Sequence, residues 1–380
     1  MIYFDNSATT KPYKEVVETY IKVAEDYFGN PSSLHPLGKV AERLLTQARE
    51  LAANLLHVKP QEIIFTSGGT EGNNLAIKGT ARLLSKRGKH LITSSMEHAS
   101  SLEAFQQLEK EGFQVTYLKP DKNGIINMEQ VEAAIRNETI LVSLIHVNNE
   151  VGSIVPIEAI GELLSHHPKI LFHVDSVQGI SKVPLNLHKG KVDFCTLSAH
   201  KFHGMKGNGI LFVRDGVRLT PLFSGGSQER GNRAGTENVA GVVAMVKALR
   251  LSMEASKTEL TKLTELNEWL KQKCESITGV MINSPTKRSP HILNLSVLGV
   301  KPEVIVQSLG EHDIYVSTKS ACSSKQAEPS RVLLEMGYDE NRASTAIRLS
   351  FTFENTMEEA QAFLSVFTKI VEELKKVVEK

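Results

Sequence analysis

Short apolar, β-rich runs alternate with segments whose apolar residues recur every three or four positions. The runs at 62–65, 90–93, 114–117 and 140–147 read as strands, and 73–84, 99–111, 128–135 and 156–164 read as helices, the last opened by Pro156. This βαβ alternation predicts a mostly parallel sheet covered on both faces. Two more apolar runs, 170–174 and 192–197, lead into Asp175 and into Ser198-Ala199-His200-Lys201. After about Gly235 the character changes. Residues 238–276 carry helical spacing and are expected to bridge two domains. Beyond them, 291–297, 301–309, 314–317, 347–351 and 357–378 alternate strand and helix again. The expectation is an α/β chain with a large domain over 15–255 and a smaller α+β domain made of 1–14 and 256–380.

Composition narrows the function classes. Across 380 residues, 44 basic and 43 acidic side chains leave a formal net charge of +1, so nucleic-acid, acidic-substrate and membrane-surface partners have no electrostatic case. Cys195, Cys274 and Cys322 are far apart, which excludes a dense disulfide framework and any CxxC zinc or redox motif. The start at Met1 lacks the charged and apolar regions of a signal peptide, and no apolar stretch reaches membrane-spanning length. A soluble, cytoplasmic protein of a reducing compartment is expected.

Candidate chemistry collects at strand ends, where ligands of open α/β sheets sit. Lys201 there suits a Schiff base with an aldehyde cofactor, and Asp175 suits the partner of a pyridinium nitrogen; a solvated surface lysine is the bland alternative. The turn 66–73, Thr-Ser-Gly-Gly-Thr-Glu-Gly-Asn, is either a phosphate cradle at a helix start or a structural turn. His98 either stacks on an aromatic cofactor and moves protons or is a bonded loop histidine. Asn149 and Gln178 can donate to a phenolate or simply form turns. Arg348, a charge in an apolar strand, either clamps a substrate carboxylate or makes a structural ion pair. Cys322, in a small polar loop with basic neighbours, is either a reactive thiol or an incidental surface cysteine. Cys195 and Cys274 read as inert core.

Together these residues resemble the pyridoxal-phosphate-dependent cysteine desulfurases of fold type I, in the class-V aminotransferase family, and the subgroup that supplies sulfur to iron–sulfur clusters and thiolated tRNA. The likeness runs nearly end to end. It is carried by Asp5-Asn6-Ser7-Ala8-Thr9-Thr10, Phe28-Gly29-Asn30-Pro31-Ser32, Ser67-Gly68-Gly69-Thr70-Glu71, His146-Val147-Asn148-Asn149-Glu150, Ser198-Ala199-His200-Lys201, Glu229-Arg230-Gly231 and Ser320-Ala321-Cys322-Ser323-Ser324.

The resemblance implies a seven-stranded type of sheet and pyridoxal 5'-phosphate as cofactor, with no metal. Lys201 would carry the cofactor as a Schiff base, Asp175 would pair with its ring nitrogen, and His98, a catalytic residue, would stack on the ring. Asn149 and Gln178 would bond its phenolic oxygen. Gly69, Thr70, Ser198 and His200, with Ala199 in the same turn, would hold the phosphate end. Thr236 would reach the partner subunit's cofactor, which implies a homodimer. Arg348 and Asn149 would bind the substrate, L-cysteine. Cys322 would take its sulfur as a persulfide, release L-alanine, and pass the sulfur to an acceptor protein, either a cluster scaffold or an enzyme thiolating tRNA or thiamine. Rival readings are another fold type I enzyme, such as a selenocysteine lyase or an aminotransferase, with no use for Cys322, and a silent dimeric sulfur carrier with no use for Lys201. The sequence departs from the resemblance at Thr318-Lys319-Ser320, and at His203-Gly204-Met205-Lys206 after the lysine.

Overall fold

A computed structural model describes residues 1–318 and 328–378 of the chain. Its first half runs β1 (Ile2–Tyr3), α1 (Lys14–Asp26), α2 (Pro36–Leu56), β2 (Ile63–Thr66), α3 (Gly69–Leu84), β3 (His90–Ser94), α4 (Ala99–Lys110), β4 (Gln114–Leu118), α5 (Met128–Ala134) and β5 (Thr139–Ile145). There follow α6 (Ile157–Ser165), β6 (Leu171–Asp175), β7 (Phe194–Ser198), β8 (Gly209–Val213) and α7 (Val239–Glu275). The remainder is β9 (Val280–Ile282), β10 (Ile292–Val297), α8 (Pro302–Gly310), β11 (Ile314–Tyr315), α9 (Arg331–Glu335), α10 (Glu340–Ser344), β12 (Ala346–Ser350) and α11 (Met357–Val378).

Seven strands form the main sheet in the order β2-β8-β7-β6-β5-β3-β4. From β4 to β7 every pairing is parallel, while β8 runs antiparallel to both β7 and β2. The parallel strands β5, β6 and β7 are buried almost throughout, as strands covered on both faces must be. The apolar pattern does not single out α1, α2 or β8. In α1 only Val16 and Val23 are buried, too narrow a stripe to read as a periodic face. The start of β8 is Gly209, opposite Thr66, where a side chain would bring its Cβ within 2.7 Å of Gly68 Cα.

Two hydrophobic cores share the long helix α7. Its N-terminal part gives Val242, Met245 and Leu249 to the core around Val142, Val174, Leu197 and Phe212. Its C-terminal part gives Leu263, Leu270 and Cys274 to a second core with Phe4, Leu295, Ile347, Phe351 and Phe363. At 37 residues the helix is about 55 Å long, enough to span both. The N-terminus joins the second core: β1 pairs in parallel with β11, Asp5 bridges to Ser350, and Phe4 meets Phe351 edge-on at 5.0 Å. The chain then turns back, and Val16 of α1 packs in the first core. The site lies where these two paths meet.

Candidate active site

β6 and β7 run parallel with Asp175 opposite Thr196, so both strands end at the same edge. After Ser198 the chain makes a tight 3-10 turn, Ala199–Lys201, that brings the lysine back over this edge. Gly69, Thr70, His98, Asn149, Asp175, Gln178, Ser198, His200, Lys201 and Arg348 all line one cavity of about 170 Å3. Ala199 lies under the turn, fully buried. Thr236 is exposed and does not line the cavity. Cys322 lies outside the described residues.

Asp175 is 3% exposed and accepts two hydrogen bonds, from Asn73 Nδ2 at 2.7 Å and from the Val177 amide at 3.0 Å. Below it, His173 is bonded at Nδ1 to Ser143 Oγ (2.8 Å) and at Nε2 to Thr196 Oγ1 (3.0 Å). Burial pushes the His173 pKa down to about 3, so the strand beneath Asp175 carries no second charge. Asn73 escapes sequence reasoning as a site residue; its one signal is its place in the second turn of the helix that begins in the glycine turn.

The Lys201 amine donates to the main-chain carbonyls of Ser7 and Ala8, the latter at 2.8 Å. A second lysine, Lys182, is buried and donates from Nζ to the Lys201 carbonyl at 2.9 Å; burial lowers its pKa to about 8. His98 caps α4, its Nδ1 within 2.8 Å of Ser100 Oγ, and that hydroxyl also receives Asn73 Nδ2 at 2.9 Å. Burial and, secondarily, the Lys201 charge lower the His98 pKa against the pull of Asp175. His200 is pushed down to about 3 by burial and then by Lys201 and Lys206. Both imidazoles are therefore neutral near pH 7 and can accept a proton or stack without adding charge.

Glu97 sits just behind His98 and is 1% exposed. Its Oε1 accepts from Ser94 Oγ at 2.5 Å and from the Ile145 amide at 2.9 Å, tying the ends of β3 and β5 together. Burial, with Asp175 nearby, raises its pKa to about 8. Arg331 donates to the main-chain carbonyls of Ser95 and Glu97 from α9, on the outer side.

The facing wall is built by Arg348. The structure makes it an ion pair, Nη2 to Asp5 Oδ1 at 3.0 Å, with Nη1 donating to the Asn149 carbonyl at 2.8 Å. Among the described residues its Nε is buried with no partner, as are Ser7 Oγ and Asn73 Oδ1, which belong to two further cavity residues. Unsatisfied buried polar atoms are costly, and three around one cavity point to a polar ligand.

The donor set matches pyridoxal 5'-phosphate. Gly68, at φ +146°, gives α3 no side-chain cap, and a Cβ on Gly69 would lie 3.0 Å from Val177 Cγ2. That leaves the helix start open to a phosphate beside Thr70 and Ser198. A primary amine and a buried carboxylate complete the complement of an aldehyde and a pyridinium. Among the described residues no cluster of histidine, cysteine, aspartate or glutamate could hold a metal ion.

The aminotransferase class-V family model matches residues 2–363. The chain belongs to that family, whose cofactor is pyridoxal 5'-phosphate, and has the fold type I architecture. It is 46% identical to a "NifS/IcsS protein homolog" of Lactobacillus delbrueckii subsp. bulgaricus, over 99% of each chain. It is 42% identical to "Cysteine desulfurase IscS" of Dictyoglomus turgidum, over 99% of this chain and 96% of that one. Among solved structures, a "NifS-like protein" superposes with a TM-score of 0.92 at 37% identity, covering 98% of this chain and 99% of that one.

Proposed function

We propose that the protein is a cysteine desulfurase that converts L-cysteine to L-alanine and hands the sulfur to an acceptor protein. The observation that supports this most is one cavity presenting Lys201, Asp175 and Arg348 together, in a chain similar over its full length to cysteine desulfurases. When bound, pyridoxal phosphate supplies an electron sink for bonds broken at the substrate's α carbon.

The chain's own residues then have defined tasks. Arg348, with Asn149 beside it, binds and orients the substrate carboxylate. Lys201 would hold the cofactor through Nζ, and the same amine would serve as the base that takes the substrate's Cα proton. Asp175 stays an acceptor toward the ring nitrogen, fixed by Asn73 and the Val177 amide. Neutral His98 would lie against the cofactor ring and could take up protons. Asn149 and Gln178 would donate to the phenolic oxygen, and Gly69, Thr70, Ser198, Ala199 and His200 would receive the phosphate. The thiolate of Cys322 attacks the substrate sulfur: an S–S bond forms, the C–S bond breaks, and the carbon is protonated to give alanine.

The same reading makes the protein a cytoplasmic homodimer. Phe28, Leu34, Leu37 and Phe223 are exposed apolar side chains that a second copy would cover, and on this reading exposed Thr236 reaches that copy's cofactor. Among the described residues no helix is long and apolar enough to cross a membrane. The acceptor is a cluster scaffold or a thiolation enzyme for tRNA or thiamine. We set the boundary between a cofactor-binding unit, 15–255, and a smaller unit, 1–14 with 256–380, inside α7.

A single-turnover assay with L-cysteine tests the proposal. Alanine release with a persulfide on Cys322, lost in Cys322→Ala, is the expected result. A cofactor band with transamination unaffected by Cys322→Ala would overturn it.

A further inference from the structure

Gln178 has polar neighbours whose chemistry allows its amide only one orientation. Its Nε2 lies 3.0 Å from the Ser7 carbonyl oxygen, which can only accept, so the amide nitrogen must face it. Oε1 then faces His291 Nε2 at 3.2 Å. Two acceptors cannot share a hydrogen bond, so Nε2 of His291 carries the proton. The opposite ring nitrogen, Nδ1, is bonded to Ser289 Oγ, and in a neutral ring it accepts from that hydroxyl.

The ring has little freedom to do otherwise. His291 is 2% exposed, and Ser289 is fully buried. The main chain is pinned on both sides, since the Ser289 amide donates to the Gly152 carbonyl at 2.7 Å and the Phe351 amide donates to the His291 carbonyl at 2.9 Å. Burial comes first in holding the imidazole neutral, and the charges of Lys182, Arg348 and Lys201 add to it, driving its pKa well below the usual range. A doubly protonated ring would still donate from Nε2 to Gln178 but could no longer accept from Ser289 at Nδ1, and burial disfavours it.

We propose that His291 is a positioning residue: held by Ser289 as the Nε2–H tautomer, it fixes Gln178 with its amide nitrogen toward the cavity, one N–H on Ser7 and the other kept for an anionic oxygen of the bound cofactor. The relay starts just before β10, in the second core, and ends at the sheet edge of the first. It makes the orientation of a cofactor-binding amide depend on a residue outside the cavity lining. The proposal rests on the cofactor role assigned to Gln178 above.

The tautomer is read directly in the cofactor-free, full-length protein labelled with 15N-histidine, using His291→Phe to assign the signal. A proton on Nε2 is expected; a proton on Nδ1 overturns the relay. Cofactor affinity supplies the second measurement. His291→Phe and Gln178→Ala are each expected to raise the cofactor's dissociation constant about tenfold, the effect of one buried hydrogen bond. The double variant is then no weaker than Gln178→Ala alone. His291→Gln, which keeps an N–H donor, restores most of the affinity. Losses that multiply to about a hundredfold, or a His291→Gln as weak as His291→Phe, would overturn the positioning role. If Gln178→Ala leaves cofactor affinity and absorbance unchanged, the assignment of Gln178 fails and the positioning role with it, while the tautomer still decides whether the relay exists.

Discussion

The two walls of the cavity are built on different plans. The sheet wall comes from the ends of β5, β6 and β7, with the turn after each strand delivering one or two polar groups. Its polar atoms are held by near neighbours across the ladder, such as His173 between Ser143 and Thr196. The facing wall joins residues 5–8 to Arg348, and its central ion pair links side chains 343 positions apart. The first wall exists once the sheet has formed. The second exists only when the N-terminus has docked on the second core. Chemistry that must not drift is expected on the first, and substrate contact on the second.

The largest effect is expected on the sheet wall. Asp175→Asn keeps the shape and one of the two acceptor oxygens, but removes the charge that the proposed function assigns to the ring nitrogen. Single-turnover alanine formation should fall by about 10^3-fold, within the range for a group acting in the chemical step, with the cofactor still bound. A fall below tenfold would show that the sheet wall contributes only scaffolding.

On the facing wall the first loss should be stability. Asp5→Ala leaves the Arg348 guanidinium buried at 1% exposure without its counter-ion. Stranding a buried charge costs about 3 kcal/mol at the lower end of the usual range, which a urea denaturation midpoint will show. If Asp5→Ala unfolds at the same midpoint as the parent, the ion pair is not what closes that wall.

Arg348→Lys should act more mildly and on a different parameter. Lysine keeps the charge but cannot serve Asp5, the Asn149 carbonyl and a substrate carboxylate in one plane. Loss of one charge-assisted hydrogen bond predicts kcat/KM for L-cysteine down about 10- to 100-fold, mainly through KM. A pure kcat effect would place Arg348 in the chemistry and erase the distinction between the walls.

The difference between the walls also explains what the sequence discloses. Apolar runs that stop at a polar residue mark strand ends, so Asp175, Ser198, His200, Lys201 and Asn149 could be named from local pattern, and they do line the cavity. Arg348 announced itself only as a charge inside an apolar strand. The carbonyls of Ser7 and Ala8 that receive Lys201 have no side-chain signature at all. Asn73, Lys182 and His291 act through partners 19 to 113 positions away, a relation no local window contains. The narrow stripe of α1 was lost for a similar reason, since its place is set by packing on α7 rather than by its own periodicity.

A last comparison separates the walls by pH. Glu97, behind the sheet wall, has a folded pKa of about 8 against an ordinary carboxyl value near 4.5. Between those two values the folded chain holds a proton that the unfolded chain has lost. Stability from this group is therefore present in full below about pH 4.5, declines as pH rises, and levels off above about pH 8. The slope is at most about 1.4 kcal/mol per pH unit. Glu97→Gln keeps an acceptor for Ser94 and the Ile145 amide but cannot titrate, so the parent-minus-variant difference in denaturation free energy should fall steadily from pH 5.5 to 8. Asp5→Ala, on the other wall, should show no such fall across that window. A flat difference for Glu97→Gln would mean that the carboxyl is charged in the folded protein, and that the sheet wall carries a second anion beside Asp175.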